Sequence, residues 1–113
     1  VDGKTFNVDD NISLVFSQGT AGTATAYYNS SNGIRMYQNG AVLDVTAANG
    51  KVITKIEFTF DYNMWYFGCD TGTLSAEADT RTWDGEASAI KFTSTGADKN
   101  HRCYIKEMKV TYR

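Results

Sequence analysis

The stretch Val52-Ile53-Thr54-Lys55-Ile56-Glu57-Phe58-Thr59-Phe60-Asp61-Tyr62 decides the fold class of this chain. From Ile56 to Tyr62, large apolar or aromatic side chains recur at every second position, with polar or charged side chains between them. A period of two is typical of a β-strand with one face in a core, because successive side chains of a strand point to opposite sides. We therefore predict a long strand over residues 51–62, with its even-numbered side chains facing inward.

The same period recurs toward both ends of the chain. Apolar side chains fall on alternate positions in residues 12–16 and again in residues 108–112. Residues 103–105 share this alternation, but its phase slips at Lys106-Glu107. A β-bulge adds one residue to one strand of a pair. We predict a bulge at this dipeptide, which returns both apolar sets to one face.

Turn signals separate these runs, above all Asn39-Gly40 and Asn49-Gly50, whose residue types tolerate positive φ. No stretch of ten residues shows a period of 3.6, so we expect no substantial helix. The predicted strands lie near residues 4–8, 12–17, 23–29, 33–38, 41–47, 51–62, 64–69, 73–78, 87–94 and 102–112. So many strands in a short chain must form two stacked sheets or a barrel. We predict one all-β domain over residues 1–113, a two-sheet antiparallel β-sandwich of jelly-roll-like topology.

The composition excludes several classes of function. The net charge is −2, whereas proteins that bind the phosphate backbone carry an excess of Lys and Arg. We therefore expect no nucleic-acid partner. No apolar stretch approaches the ~20 residues that cross a bilayer, so we expect no membrane span either. Val1-Asp2-Gly3 begins no signal-peptide pattern, and we expect a module cut from a longer secreted or cell-surface protein.

Residues suited to catalysis form no specific motif. His101 is the only histidine and lies in a charged turn, and no serine has the Gly-x-Ser-x-Gly frame of a hydrolase. A glycosidase needs two carboxylates at a fixed separation, but solvated strand ends and turns explain the acidic candidates. These are Asp61, Asp70, Glu77, Asp79, Asp84 and Glu86. We predict a chain that is not an enzyme and has no catalytic residues.

Two questions about ions and thiols stay open. Carboxylate and amide oxygens suit a structural calcium ion, the only cofactor under consideration. Two sets of residues offer such oxygens: the turn Asp9-Asp10-Asn11, and Asp84 with either Asp70 or Asp79. If the chain is exported, Cys69 and Cys103 can form one disulfide, worth about 3–4 kcal/mol for a loop of roughly 35 residues. In the cytosol they would be two buried thiols.

The aromatic residues are the most informative class. The chain has seven Tyr, two Trp and six Phe. Four Phe occupy inward positions of predicted strands and are assigned to the core: Phe16, Phe58, Phe60 and Phe92. Tyr and Trp combine a flat apolar surface with a polar edge. That combination suits the C–H face and the hydroxyl groups of a sugar ring.

Several of the Tyr and Trp are predicted to face solvent. In residues 33–38 the apolar positions turn Arg35 and Tyr37 outward together, and an Arg–Tyr pair can hydrogen-bond and stack with a planar polar ligand. Tyr27 and Tyr28 are adjacent, so they face opposite sides of their strand, and one of them can be exposed.

A second group of aromatics follows the long strand. Four aromatic residues in residues 62–67 cannot all be internal, so at least one of Trp65 and Tyr66 should be exposed. Trp83 lies in the turn-like context Thr82-Trp83-Asp84-Gly85, where it serves as a loop anchor or a binding platform. Cross-strand aromatic pairs also stabilise sheets in the absence of any ligand. The exposed aromatics therefore also fit a purely structural role.

Four segments together carry a resemblance to a known type of module: residues 27–37, residues 51–58, residues 83–92 and residues 105–112. The chain resembles the accessory β-sandwich domains of secreted multidomain enzymes of gut and rumen bacteria, including carbohydrate-binding modules of plant-polysaccharide hydrolases. The resemblance implies a β-sandwich, an extracellular location and glycan binding through surface aromatics. The implied ligands are β-linked plant cell-wall polysaccharides such as β-glucan, mannan or xylan.

The leading hypothesis is a monomeric, non-catalytic carbohydrate-binding module, covalently linked to a catalytic domain in its parent protein. The candidate ligand-binding residues are Trp65, Tyr66 and Trp83 for stacking, Tyr27, Arg35 and Tyr37 on the other face, and Asn63 and Gln38 as hydrogen bonders. The alternative is a structural or protein-interaction domain of a secreted or cell-surface protein. That alternative predicts that the Trp and Tyr residues are buried or scattered.

Overall fold

A computed structural model describes residues 1–29 and 33–113 of the chain. Across these residues every regular element is a β-strand, and no helix could cross a membrane. The strands are β1 (Thr5–Asn7), β2 (Ile12–Ser17), β3 (Ala26–Tyr28), β4 (Gly33–Met36), β5 (Val42–Ala47), β6 (Ile53–Trp65), β7 (Phe67–Cys69), β8 (Thr73–Leu74), β9 (Thr80–Ala87), β10 (Ala89–Ser94) and β11 (Cys103–Tyr112). The absence of a helical period in the sequence is thus matched by the described structure.

The strands form two antiparallel sheets that pack against each other. The first sheet has the order β1-β2-β5-β10-β7 and the second has the order β3-β4-β11-β6-β9-β8. From β4 to β11 the chain crosses between the sheets repeatedly, since consecutive strands mostly belong to different sheets. This crossing is typical of jelly-roll-like sandwiches. The predicted all-β, two-sheet sandwich is confirmed.

The core lies between the sheets and is built mainly from aromatic and branched aliphatic side chains. Phe58 and Phe60 of the second sheet meet Phe67 and Phe92 of the first, with ring centroids 5.1–5.3 Å apart and edge-to-face. Such T-shaped contacts are favoured because the positive ring edge meets the negative ring face. All four rings are buried, and Phe16 is buried as well. The core positions predicted for Phe16, Phe58, Phe60 and Phe92 are therefore confirmed.

The long strand β6 pairs with β11, and its register is interrupted where the sequence lost its period. A register shift lies between Ile105 and Glu107, which confirms the predicted bulge. Three inward assignments were wrong: Val52, Thr54 and Tyr62. Ile53, not its neighbours, is fully buried, because a register shift follows it in the pairing with β9. Tyr62 is 75% exposed, because β6 leaves the ladder between Phe60 and Trp65.

The segment around Trp83 is a strand and not a turn. Trp83 lies within β9 and is completely buried, so the prediction of a turn-like platform was wrong. Its indole Nε1 donates a hydrogen bond to the carbonyl oxygen of Thr71 at 2.7 Å. A Cβ atom at Gly72 or Gly85 would lie 2.5 Å or 2.7 Å from the indole ring. Both positions therefore need glycine to leave room for the ring. Gly85 lies within β9, where glycine often marks a close approach, and Gly72 lies between β7 and β8 with a φ of 72°.

Arg81 joins three strands from inside the sandwich. Its guanidinium donates to the carbonyl oxygens of Trp65 and Phe67 at 2.9 Å each, and to that of Ser75 through two nitrogens at 3.0 and 3.2 Å. The side chain is 8% exposed, and burial lowers its pKa. Arg81 thus satisfies carbonyl groups where β6 ends, where β7 begins and where β8 has just ended.

The predicted turns at Asn39-Gly40 and Asn49-Gly50 occur where expected. All four residues have positive φ, between 58° and 108°. Each turn connects strands of different sheets, β4 to β5 and β5 to β6. These dipeptides therefore reverse the chain between layers and do not close hairpins. The strand predicted near residues 73–78 is reduced to Thr73–Leu74, and β9 takes over residues that the prediction left as a loop.

Candidate ligand-binding surface

Tyrosines and arginines gather on the outer face of the second sheet, where β3, β4 and β11 are neighbours. Arg35 of β4 lies opposite Tyr104 of β11 and opposite Ala26 of β3. Directly opposed residues point to the same side of a sheet, so Arg35 is placed on the outer face by register. The Arg35 guanidinium carbon lies 3.9 Å from the ring centroid of Tyr28 and 4.8 Å from that of Tyr104.

A second arginine joins the group from the start of β11. The Arg102 guanidinium carbon lies 4.5 Å from the ring centroid of Tyr37. Its Nε donates to the side-chain oxygen of Gln38 at 2.8 Å, and its Nη1 donates to the Tyr104 hydroxyl at 3.4 Å. The tyrosine–arginine surface is the name we give to six residues: Tyr28, Arg35, Tyr37, Gln38, Arg102 and Tyr104. Five of them are half-buried and Tyr104 is buried.

The two outer tyrosines share a hydrogen bond that changes how they ionise. The hydroxyl oxygens of Tyr28 and Tyr37 are 3.0 Å apart. This bond is the largest cause that lowers the pKa of Tyr37, and the nearby charges of Arg35 and Arg102 lower it further. The same bond raises the pKa of Tyr28. The hydrogen bond between the two hydroxyls is thus the main reason that the two tyrosines differ in pKa.

The sequence predicted part of this surface and misplaced one residue. Arg35, Tyr37 and Gln38 do come together. Tyr27 is 57% exposed, but it lies opposite Ile34, which packs against the core, so it is on the inner side of its strand. Tyr28 takes the place that was predicted for Tyr27. Adjacency alone could not decide between the two, because only the pairing with β4 fixes which side each one faces.

Trp65 and Tyr66 form a separate aromatic pair at the end of β6. Their rings stack with centroids 5.8 Å apart, and the Tyr66 ring meets His101 edge-on at 4.6 Å. The Trp65 Nε1 donates to the Glu77 carboxylate at 3.0 Å. Both rings are half-buried, and Trp65 packs partly against the core. Asn63 is exposed with φ of 61°, and its backbone N–H donates to Asp79.

The start of β11 lies between the two aromatic groups. Cys103 pairs with Met36 on one side and with Trp65 on the other. Arg102 therefore faces the tyrosine–arginine surface from the same short segment in which His101 contacts Tyr66. No local pattern predicts Arg102 or Tyr104 at this surface, because their place beside β4 depends on a pairing across more than sixty residues. Trp83, in contrast, belongs to neither group and cannot stack on a ligand in this structure.

Three of the acidic candidates, Asp9, Asp70 and Asp79, accept hydrogen bonds from backbone N–H groups. Asp9 Oδ1 accepts from the backbone N–H groups of Asn11 and Ile12, and its Oδ2 accepts from the Tyr112 hydroxyl at 2.6 Å. These bonds, the Tyr112 bond first, lower the pKa of Asp9. Asp70 and Asp79 each accept from one backbone N–H. Within residues 1–29 and 33–113, no three His, Cys, Asp or Glu side chains converge on a metal position.

The cysteines belong to opposite sheets. Cys69 lies on β7 of the first sheet and Cys103 on β11 of the second. Both are free thiols in this structure, with Cys103 buried and Cys69 half-buried. Burial raises the pKa of Cys103 well above its usual value. Of the two alternatives considered from the sequence, the structure has the pair of thiols.

The sequence does not predict the apolar cleft that lies between the two sheets. It encloses about 270 Å³ where β1 and β2 face β4 and β11. Its apolar lining consists of Phe6, Leu14, Phe16, Ile34, Ile105 and Met108. The pattern of β1 is too short to reveal it, because Phe6 is the central residue of a three-residue edge strand.

A scan against protein-family models, a search of curated proteins and a search of solved structures each returned no match to this chain.

Proposed function

We propose that this chain is a non-catalytic carbohydrate-binding module that recognises β-linked plant cell-wall polysaccharide, of the β-glucan, mannan or xylan type, through the tyrosine–arginine surface. One observation carries the proposal: three tyrosines and two arginines contact one another at the outer side of β3, β4 and β11. All but Tyr104 are partly open to solvent, and Tyr37 also packs partly against the core. The proposal includes secretion and attachment to a catalytic domain in a longer parent protein.

The chemistry of the surface suits a polyhydroxylated chain. The C–H groups of a sugar ring pack on an aromatic face, and tyrosine supplies that face with little conformational entropy to lose. The Tyr28 and Tyr37 hydroxyls and the Gln38 amide supply donors and acceptors for sugar hydroxyls. The surface extends over three neighbouring strands, about 10 Å at a strand spacing of ~4.8 Å. An open face of this width suits an extended polymer better than it suits a chain end.

Binding at such a surface should be weak and should act through attachment. Open aromatic sites of this size bind with dissociation constants on the order of 10 μM to 1 mM, about 4 to 7 kcal/mol. A module of this affinity raises the effective concentration of an attached enzyme at its substrate. The alternative is a structural or protein-interaction domain, which the same stacking supports because it also holds β3, β4 and β11 together.

The test is affinity gel electrophoresis against a panel of soluble plant polysaccharides. The critical variant is Tyr28→Ala, and its matched control is Tyr27→Ala on the adjacent residue of the same strand, which faces the other side. We expect one polysaccharide class to retard the parent protein and Tyr27→Ala, and to retard Tyr28→Ala about tenfold less strongly, the loss of roughly 1.4 kcal/mol of stacking.

Two results would contradict the proposal in different ways. Equal retardation of both variants, with a loss in Trp65→Ala, would move the site to the end of β6. The absence of retardation by every polymer in the panel would favour the structural or protein-interaction role. Thermal unfolding of each variant establishes that a loss of binding is not a loss of the fold.

A further inference from the structure

We infer that the tyrosine–arginine surface selects acidic polysaccharide, and that Arg102 and Arg35 receive a carboxylate of a uronic acid residue. This inference rests on the proposed function and names the class of glycan that the same surface takes. Its basis is the convergence of two guanidinium groups on the same two tyrosines, Tyr37 and Tyr104.

Both guanidinium groups contact the Tyr37 ring, so two positive charges lie on one small surface of a protein whose net charge is −2. The Arg35 carbon is 5.9 Å and the Arg102 carbon 4.5 Å from the Tyr37 ring centroid. The hydrogen bonds of Arg102 go to a neutral amide and a neutral hydroxyl, so these partners leave its charge in place. Like charges held together repel, and the repulsion is relieved when an anion binds between them. A neutral glycan does not relieve this repulsion, so it gains no affinity from it.

The stacking also orients the arginines for a planar anion. A guanidinium that stacks on a ring uses its flat faces, whereas its N–H groups lie in its plane and point outward at its edges. Two parallel N–H groups match the two oxygens of a carboxylate. A sulfate ester carries the same negative charge and also presents paired oxygens, so a sulfated polymer is the competing ligand that the test includes.

The experiment compares three soluble polymers by affinity gel electrophoresis and isothermal titration calorimetry. They are glucuronoxylan, the same polymer after reduction of its carboxyl groups to alcohols, and cellulose sulfate. The variant is Arg102→Gln, with Arg102→Lys to keep the charge and lose the fork. The control is Arg113→Gln, which removes the charge of an arginine that pairs with Glu86.

We expect glucuronoxylan to bind about tenfold or more tightly than its reduced form, as one charged hydrogen-bonded contact implies. Arg102→Gln should lose that difference, Arg102→Lys should lose most of it, and Arg113→Gln should keep it. Binding should weaken as NaCl rises from about 0.05 to 0.5 M, because salt screens exposed charges.

Three results would overturn the inference. Equal binding of native and reduced glucuronoxylan would refute acid selectivity while the proposed glycan-binding function stands. Binding of cellulose sulfate alone would assign the site to sulfate esters. If neither these three polymers nor any neutral polymer in the panel above binds, the proposed function itself is refuted. If Arg102→Gln unfolds, the same comparison is made with Arg35→Lys.

Discussion

Replacement of Arg81 by methionine tests what a buried arginine does in this sandwich. The change keeps most of the length and apolar volume of the side chain and removes its charge and its five N–H groups. The carbonyl oxygens of Trp65, Phe67 and Ser75 then lose the donor that reaches them now. Each buried acceptor left without a partner costs about 1–3 kcal/mol.

The net effect is smaller than the sum of these three losses. Three fully buried acceptors would give roughly 3–9 kcal/mol, but only the bond to Phe67 is fully buried, and water can reach the carbonyl oxygens of Trp65 and Ser75. The desolvation of the guanidinium, several kcal/mol, is also no longer incurred. We expect Arg81→Met to lower the free energy of unfolding by about 3 kcal/mol. For a domain of this size, at about 4 °C for each kcal/mol, that corresponds to a fall in Tm of roughly 12 °C.

Thermal and urea denaturation followed by circular dichroism measure this loss. The control is Arg113→Met, whose side chain is 63% exposed and whose replacement should change stability by no more than about 0.5 kcal/mol. Arg81→Lys should fall between them, because one ammonium group cannot reach all the carbonyl groups that the fork reaches. An Arg81→Met protein as stable as the parent would refute the reasoning, since it would mean that burial of the charge costs as much as its hydrogen bonds contribute.

Three further predictions concern other residues. Trp83→Ala should destabilise the domain by about 3–5 kcal/mol because it empties a fully buried site, and polysaccharide retardation of the folded fraction should be unchanged; loss of binding at full stability would return Trp83 to the ligand site. The folded pKa of Asp9 is below its ordinary value of 3.8, so its contribution to stability is present above pH 3.8 and is lost as pH falls through the folded value. In that acidic range Asp9→Asn should make Tm depend less on pH, and an unchanged profile would contradict the role of the Tyr112 bond. In native protein at pH 8, iodoacetamide should modify Cys69 faster than Cys103, whose buried thiol has a raised pKa; equal rates, measured by mass spectrometry of peptides, would show that the core opens readily.

Alternation in the sequence predicts the interior well wherever a strand stays in its ladder. Phe58 and Phe60 follow the parity of their strand, and Arg35 follows the opposite parity of β4. Parity fails where a register shift or a positive φ intervenes, as it does between Phe60 and Trp65 around Asn63. Local alternation cannot reveal such a shift, because the shift depends on which strand lies alongside.

The candidate site shows the same boundary between local and non-local information. The outward pairing of Arg35 and Tyr37 was predictable from four residues of sequence. The choice of Tyr28 over Tyr27, and the arrival of Arg102, depend on the pairing of β4 with β3 and β11. Trp83 was misplaced for another reason: Asp84-Gly85 resembles a turn, but Gly85 is there because the indole ring of Trp83 leaves no room for a Cβ atom.

The short connection between β6 and β7 determines how the sandwich can open. These strands belong to different sheets, only Tyr66 separates them, and its carbonyl oxygen accepts from the N–H of Thr95. Neither sheet can slide over the other unless ladders on both sides of Tyr66 break together. Amide hydrogens of β6, which has a neighbouring strand on each side, should therefore exchange with solvent deuterium only through global unfolding, whereas those of the edge strands β1, β3 and β7 should exchange by local fraying. The exchange data would thus separate the strongly protected strand β6 from the weakly protected edge strands.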